Sequence, residues 1–578
     1  MTVSDYIFDF LLKKGCKQVF MVSGSSAMWL TDALYRNENL QAICFHHEQV
    51  VAMAADGYGR VNDVPEAALV TIGPGATNAI TGVAQAFLDS SPMFVISGQA
   101  NSKLLEYAKK TGIRQQGCQS INLEPMVTPI TKYFAEVMSA DEIPQIMEDA
   151  YYYAMEGRRG PVWIDVPVNI QNSQVSDSAI SNVVNKEFEK KSLDDRLLVD
   201  ITDRILKSKK PLIMAGYGVR SSGSVELMER LSVDYDIPVV TSRGGIDVIN
   251  SDSTLFIGRP GSYGDRASHF AIQEADMLLI LGSRLSISTV GYYPQRFGKN
   301  AFKVMVDIDD KELSKGDVPV DYKINADLNE WLNKLLSYMS EKKSVHSEWV
   351  KQCNEYKKKY PTVVDEYKAE APLNEYYVTS IISKLVAENA NIVVDTGSVC
   401  NIVSQSWKIK KGQRYLISGG LSCMGFWATA LGACQKGRQV IAISGDGSTQ
   451  MNIQEFATMQ YNKIPIKLFV YNNNGYMLIR HNQHNYMDDR FLGVGPDSGV
   501  QTPDFCNVAN AYGVKSIKIE SGDNIEDKVK EVLEFDGPVV CEVLCQQFAP
   551  IIPRIASRVM PDGSLKAAEF EDLYPFLN

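Results

Sequence analysis

Between Val440 and Phe456 the sequence reads VIAISGDGSTQMNIQEF, an apolar run that enters Gly445-Asp446-Gly447 and gives way at once to a helical pattern. A carboxylate isolated between two glycines is a hard anionic ligand on a backbone that other groups can approach closely. A second apolar run, PIKLFVY, then ends in Asn472-Asn473-Asn474-Gly475. Residues 448–471 intervene, the length of a strand–helix–strand crossover that returns the chain to the same end of a parallel sheet. The carboxyl ends of such strands are where parallel sheets take ligands. Asp446 would offer a carboxylate, Asn473 an amide oxygen and Gly475 a backbone carbonyl. With two phosphate oxygens and a water they make an octahedron for Mg2+. Gly447 and Ser448 open the next helix, whose free N–H groups favour phosphate. A lone Gly-Asp-Gly is more often a tight turn with an aspartate cap, but the asparagines at crossover distance shift the balance toward a diphosphate held with a metal.

Together the two motifs resemble the thiamine-diphosphate-binding signature, Gly-Asp-Gly followed about two dozen residues later by Asn-Asn. The resemblance implies an acid from another domain that hydrogen-bonds the cofactor's aminopyrimidine ring. Glu48, in FHHEQVVAMAADGYGR, stands at that place and would be buried with a raised pKa. Without the other motifs it would read as a first-turn glutamate stabilised by the helix dipole. The family also props its folded cofactor on an apolar side chain. SGGLSCMGFWATALGA is similar to that Gly-Leu-Gly-Thr-Met-Gly segment, with Met424 at the prop and Ser422 and Cys423 in place of Gly and Thr. Beside Phe426 and Trp427 the methionine also reads as core. VVDTGSVC resembles the other phosphate clamp, with Thr396, Gly397 and Ser398 at its turn, and Tyr476 follows the metal loop as a further implied cofactor contact. TIGPGATNAITG, with Gly73 and Asn78, and ISGQ (96–99) match the first segment's signature. GPGATNAITGVAQAFLDSSP, RGPVWIDVP and MGF bring the chain nearest to the large subunit of acetolactate synthase within that superfamily.

Several elements must carry these residues. At 578 residues the chain exceeds one core, and its 45% hydrophobic and 22% charged content is that of a globular protein. A net charge of −11 argues against a nucleic-acid surface, and no apolar run is long enough to span a bilayer. The opening MTVSDYIFDFLLKKGC reads as an amphipathic helix rather than a signal peptide, and ten scattered cysteines without a CxxC fit a reduced cytoplasm. Three segments alternate short apolar strands with helical patterns, so the expected fold is α/β with three doubly wound, mostly parallel sheets. The expected domains are a pyrimidine-binding one over 1–172, a central one over 190–340 and a diphosphate-binding one over 370–578 with a C-terminal tail. QNSQVSDSAISNVVNKEFEKKS reads as a linker. YMSEKKSVHSEWVKQCNEYKKKY reads as a solvated connector, because lysines on every face leave nothing to bury. The tail ASRVMPDGSLKAAEFEDLYPFLN reads as a short helix after Pro and Gly punctuation, serving as a lid or a docking segment. The strand–turn–helix–strand units around Gly73 and Gly445 echo each other, as a duplication or as two generic βαβ units.

The resemblance implies that the bound cofactor serves as electron sink while a 2-oxo acid, pyruvate, loses CO2, and then delivers a masked acyl anion to a second carbonyl. Glu48 would carry the ring proton, and Gln119 would be a second catalytic residue. The acceptor side departs from the synthase pattern. Phe-Gln-Glu becomes Cys118-Gln119-Ser120, Gly-Gln-His-Gln becomes Gly397-Ser398-Val399-Cys400, and a tryptophan becomes Asn482. Small polar residues in place of large ones point to a wetter, roomier pocket and to a larger acceptor such as a keto-sugar. A non-ligating decarboxylase and a non-catalytic cofactor binder are the rival readings. In the central segment, Gly216, Gly218, Gly282, Arg284, Asp307 and Asp309 lie where synthase-like enzymes contact FAD, while related decarboxylases keep similar segments without it, so bound FAD stays open. The family sets Glu48 of one chain against the metal loop of another, which implies a homodimer or a dimer of dimers. His481 and His484, with His46-His47, allow zinc on spacing alone but lack a companion carboxylate motif.

Overall fold

The computed structural model describes residues 1–189, 191–340, 345–560 and 565–577. Its inner strands are short, apolar and buried on both faces, as parallel strands covered by helices must be, while edge strands such as residues 41–44 and 322–325 stay partly exposed. The first sheet contains β1 (Gln18–Met21), β2 (Gln41–Cys44), β3 (Glu66–Val70), β4 (Met93–Gln99), β5 (Tyr133–Glu136) and β6 (Pro161–Pro167). The second contains β7 (Pro211–Ala215), β8 (Val239–Thr241), β9 (Phe256–Gly258), β10 (Met277–Leu281), β11 (Phe302–Asp307) and β12 (Tyr322–Asn325). The third contains β13 (Asn391–Val394), β14 (Arg414–Ile417), β15 (Val440–Gly445), β16 (Ile466–Asn472), β17 (Lys515–Ile519) and β18 (Val539–Leu544). Every ladder within these sheets is parallel.

The outer sheets share one order, β2-β1-β3-β4-β6-β5 and β14-β13-β15-β16-β18-β17. The middle sheet runs β12-β11-β10-β7-β8-β9, which reverses direction between β7 and β10 and leaves a crevice at their carboxyl ends. One hydrophobic core joins the outer sheets, running from Val50, Val51 and Ala54 through Phe426 and Trp427 to Val440 and Leu468. Helix Glu48–Asn62 and segment 425–433 touch backbone to backbone there. A Cβ on Gly57 would lie 2.2 Å from Thr429 O, and one on Gly432 only 1.7 Å from Ala54 O, so both positions require glycine.

Two expectations about connections need correction. The lysine-rich stretch, of which 341–344 lie outside the described residues, is not a solvated connector over Ser347–Lys359. That helix buries Trp349 and Cys353, one turn apart, against the central region, and Trp349 Nε1 donates to Pro211 O at 3.0 Å. Two apolar residues at i, i+4 suffice for a narrow stripe that the surrounding lysines mask in the sequence. The tail forms an antiparallel ribbon of β19 (Ser557–Val559) and β20 (Leu565–Ala567) instead of a helix, with 561–564 and 578 outside the described residues. Beyond it Phe570 and Leu573 are buried, Phe570 stacks on His269 at 4.1 Å, and Arg266 donates to Leu573 O at 2.9 Å. Apolar anchors spaced for an extended chain fix the tail on the central region. The linker keeps little regular structure apart from a short helix, Asp177–Ser181, and Lys190 lies outside the described residues.

Candidate active site

β15 ends at Gly445 beside Tyr471 of β16, so the loops following both strands leave the sheet together. Asp446 is 1% exposed, and its carboxylate accepts 2.8 Å hydrogen bonds from the N–H groups of Gly447 and Gly475. Burial pushes its pKa up to about 6 against the pull of those donors. Gly475 sits at φ +131°, and a Cβ there would meet Val494 O at 2.1 Å, so only glycine lets this loop fold under Asp446. Asn473 donates through Nδ2 to Glu375 Oε1 at 3.2 Å, while its buried Oδ1 has no partner. An orphaned buried oxygen costs about 1–3 kcal/mol, which a cation would offset. The donor set, one carboxylate and one unpaired amide oxygen beside a glycine loop, fits a hard divalent cation. Tyr476 lies across Gly447, where a Cβ would come within 2.1 Å of its ring, and Ser448 is buried in the turn that follows.

A second loop faces the same sheet end. Asp395 follows β13, and its carboxylate accepts from Thr396 N, Phe426 N, Trp427 N and Ser444 Oγ at 2.8–3.2 Å. Gly397, at φ +80° and with open space around its Cβ position, precedes helix Ser398–Ser406, whose first residue Ser398 is buried. Met424 is half-buried between Asp395-bound Phe426 and Ser422. Ser422 holds φ +54°, a left-handed conformation that explains a glycine preference at this position. The 418–420 stretch is latched to the first sheet's helices, because Asp89 accepts from Gly419 N and Gly420 N at 3.0 and 2.7 Å and pairs with Arg60 at 3.0 Å.

The first region gathers Gly73, Asn78, Glu48 and Gln119 at the carboxyl end of β3. Asn78 Nδ2 donates to Glu48 Oε2 at 2.9 Å, and Gly73 packs under Gln119, whose carbonyl would lie 2.3 Å from a Cβ. Glu48 begins its helix after a His47 cap. The expectation of a buried carboxylate is not met in the single chain, where Glu48 is half-buried against the helix of Asn78. The Gln119 side chain is exposed. Among the described residues no hydrogen bond joins Glu48 to the Asp446 cluster.

Comparison with known proteins decides the family. Residues 1–123, 198–335 and 395–543 match the N-terminal TPP binding, central and C-terminal TPP binding domains described for thiamine pyrophosphate enzymes. The acetolactate synthase large subunit of Lactococcus lactis is 32% identical over 565 residues, 97% of this chain and 95% of that one. The chain belongs to the thiamine pyrophosphate enzyme family. Acetolactate synthase isozyme 1 large subunit of Escherichia coli K12 is 28% identical, covering 96% of each chain. The probable acetolactate synthase large subunit of Methanocaldococcus jannaschii is 30% identical over 99% of this chain and 98% of that one. This thiamine pyrophosphate enzyme is thus acetolactate-synthase-like.

Sequence reading of the thiamine pyrophosphate enzyme missed three buried polar groups. Glu375, its pKa pushed by burial to about 8, fixes the Asn473 amide. Asp395, pushed by burial to about 6, ties the clamp to the Met424 segment. Asn452 Nδ2 donates to Gly425 O at 2.9 Å and so holds the residue after Met424. Helix N-cap chemistry flags Asn374-Glu375, but nothing in the sequence marks the carboxylate as turned inward. Val399, expected on the acceptor side, is core, and Asn482 is exposed.

In the enzyme's central region, Gly218, Gly282, Arg284 and Asp307 line a cleft of about 440 Å³. Gly218 N donates to Gly282 O at 2.9 Å, and a Cβ on Gly216 would strike Gly282 O at 2.1 Å. Burial lifts Asp307 to about 6. Asp309 instead caps helix Asp310–Ser314 and pairs with Arg158 at 3.2 Å. Gly258–Asp265 serves packing, since Asp265 accepts from Arg259 N and Ile555 N donates to Ser262 O. His481 contacts Ala549 O and His484 contacts Asp489, so the two do not converge on a metal. Asp504, Cys506 and Glu542 do approach one another, but the Lys518 ammonium lies 2.6 Å from Asp504 and 3.1 Å from Glu542 and fills that role. The ten cysteines are free, and among the described residues no helix is long and apolar enough to cross a membrane.

Proposed function

We propose that the enzyme uses thiamine diphosphate and Mg2+ to decarboxylate a 2-oxo acid, pyruvate, and to join the acyl unit to a second carbonyl compound larger than pyruvate, such as a keto-sugar. The observation that carries the metal and cofactor reading is the buried, unpartnered Asn473 Oδ1 beside Asp446. When bound, thiamine diphosphate supplies the electron sink for loss of CO2 and the nucleophilic carbon for ligation. Asp446, Asn473 and the Gly475 carbonyl would hold the cation, with Gly445, Gly447, Ser448, Thr396, Gly397 and Ser398 around the diphosphate. Met424 and Ser422 would sit beneath the rings, and Gly73 and Asn78 would flank the pyrimidine. Glu48 would hold a proton at the pyrimidine, its carboxylate oriented by Asn78. The family resemblance sets Glu48 of one chain against the metal loop of another, so the complete site would form in a homodimer or a dimer of dimers. Gln119, exposed in the single chain, would face the substrate there.

Exposed, small and polar Cys118 and Asn482 support the larger acceptor. The central cleft, with glycines in contact at the strand-order reversal, fits FAD held by Gly216, Gly218, Gly282, Arg284 and Asp307. Purified protein with a flavin absorbance band, released on denaturation, checks that assignment. The reaction is tested by supplying cofactor, Mg2+ and pyruvate, alone and with a panel of aldehydes, ketones and keto-sugars, and identifying products by mass spectrometry. Rapid acetolactate formation from pyruvate alone rejects the larger acceptor. Aldehyde release without any ligation product rejects carboligation in favour of a simple decarboxylase.

A further inference from the structure

A second cavity, of about 180 Å³, lies between the central region and the loops that flank Met424, lined among others by Cys400, Tyr415, Ser422 and five arginines. Four of those arginines face carboxylates. Arg60 pairs with Asp56 and Asp89, Arg158 with Asp309 and Glu312, Arg414 with Asp247, and Arg284 reaches Glu312 at 3.7 Å. Arg243 is different. Among the described residues no carboxylate pairs with it, and its buried Nη2 has no hydrogen-bond partner. The groups whose titration feels its charge, Cys400, Tyr415 and Tyr263, are pushed up by burial and stay neutral at physiological pH, so none supplies a counter-charge. Arg243 is half-buried as a residue, but a guanidinium nitrogen buried without a partner is costly, and a ligand oxyanion would supply the missing acceptor. Arg243 opens the turn after β8, and Cys400 lies in the first turn of the helix that follows Gly397, so the cation shares a cavity both with the candidate active-site loops and with Gly282 and Arg284 at the edge of the central cleft.

We propose that Arg243 binds an oxyanion, a phosphate or carboxylate, carried by the acceptor substrate, so that the preferred acceptors are anionic hydroxy-carbonyl compounds rather than neutral sugars. This rests on the carboligation reading. The planar fork of donors suits either oxyanion by paired hydrogen bonds, which a lysine would reproduce only in part. The test titrates holoenzyme calorimetrically with inorganic phosphate, dihydroxyacetone phosphate, glyoxylate and neutral dihydroxyacetone, using wild type, Arg243→Gln and Arg243→Lys. Anion binding at one site per chain is expected in wild type, weakened tenfold or more in Arg243→Gln and partly restored in Arg243→Lys. The phosphate and carboxylate arms show which oxyanion the site takes. In ligation assays the acceptor KM should rise tenfold or more in Arg243→Gln, with a smaller change in kcat. Absence of anion binding in wild type, or equal binding in Arg243→Gln, overturns the proposal. So does loss of flavin absorbance confined to the Arg243 variants, which would give the arginine to that cofactor. CO2 release from pyruvate by wild type is measured in parallel. Its absence refutes the donor reading, while the titration judges the anion site independently.

Discussion

The first and third sheets have the same strand order, and the same step in each, from the third strand into a glycine turn, carries the candidate chemistry. Their polar contents differ. Around the ends of β13 and β15 three buried acids are pre-bonded: Asp446 accepts from two backbone N–H groups, Asp395 accepts from four donors, and Glu375 fixes an asparagine whose oxygen is left free. At the end of β3 a single half-buried carboxylate, Glu48, leans on Asn78. On the proposed function, one frame would serve as a rigid anchor for the diphosphate and its metal and the other as an accessible proton carrier. The difference teaches that one strand order can set its acids at very different depths, buried at Asp446 and half-exposed at Glu48. The shared order, which a pair of generic βαβ units would not require, supports duplication.

The sharpest break of this comparison is Asp446→Asn, which should reduce cofactor affinity by about a hundredfold or more in the presence of Mg2+, measured by calorimetry, and abolish turnover with it. Glu48→Gln should separate the two roles. Turnover is expected to fall by roughly 10²–10⁴-fold while cofactor affinity changes little, and a matching loss of affinity would erase the division. Glu375→Met removes the acceptor that orients Asn473 and should weaken Mg2+ binding by about 10–100-fold with the fold intact by circular dichroism.

A further contrast lies at the start of the third strands, where Val440 opens β15 but Glu66 opens β3, fully buried, with both carboxylate oxygens unpartnered. Burial raises its pKa from 4.5 to about 8. The folded state therefore holds a proton that the unfolded chain releases, so this contribution to stability is complete below pH 4.5 and is lost as pH rises to about 8. Melting curves between pH 5 and 8 should fall at roughly 1.4 kcal/mol per pH unit from this group, and Glu66→Gln should flatten them by that amount. The smallest effect is expected at Ser422, where Ser422→Gly should raise stability by up to about 1 kcal/mol by relieving the left-handed φ, read as a small rise in Tm.

Much of the architecture was legible because parallel strands write themselves as short apolar runs and because Gly-Asp-Gly and Asn-Asn are spaced by a fixed crossover. Three sheets could be expected, but not that the middle one would reverse at β7 and β10, since strand order depends on crossovers between distant segments. Asp446 and Asn473 were legible as a pair. Glu375 was not, because it lies 98 residues from Asn473 and a single inward-facing acid leaves no periodic trace. The Ser347–Lys359 helix was hidden for a related reason, with two anchoring residues outnumbered by lysines. Ser422 was read as a departure from a glycine pattern, and its positive φ gives that departure a conformational cost.

The Asp89 latch onto Gly419 and Gly420, with the core shared from Val50 to Trp427, also bears on how this chain can be divided. Helices of the first sheet serve as one wall of the third sheet's interior, so a fragment ending near residue 172 would expose a broad oily face, and its complement would lose the clasp on the loop beneath Met424. Gene dissection of this enzyme into free-standing halves should therefore yield insoluble pieces that recover a native form only when they are produced together.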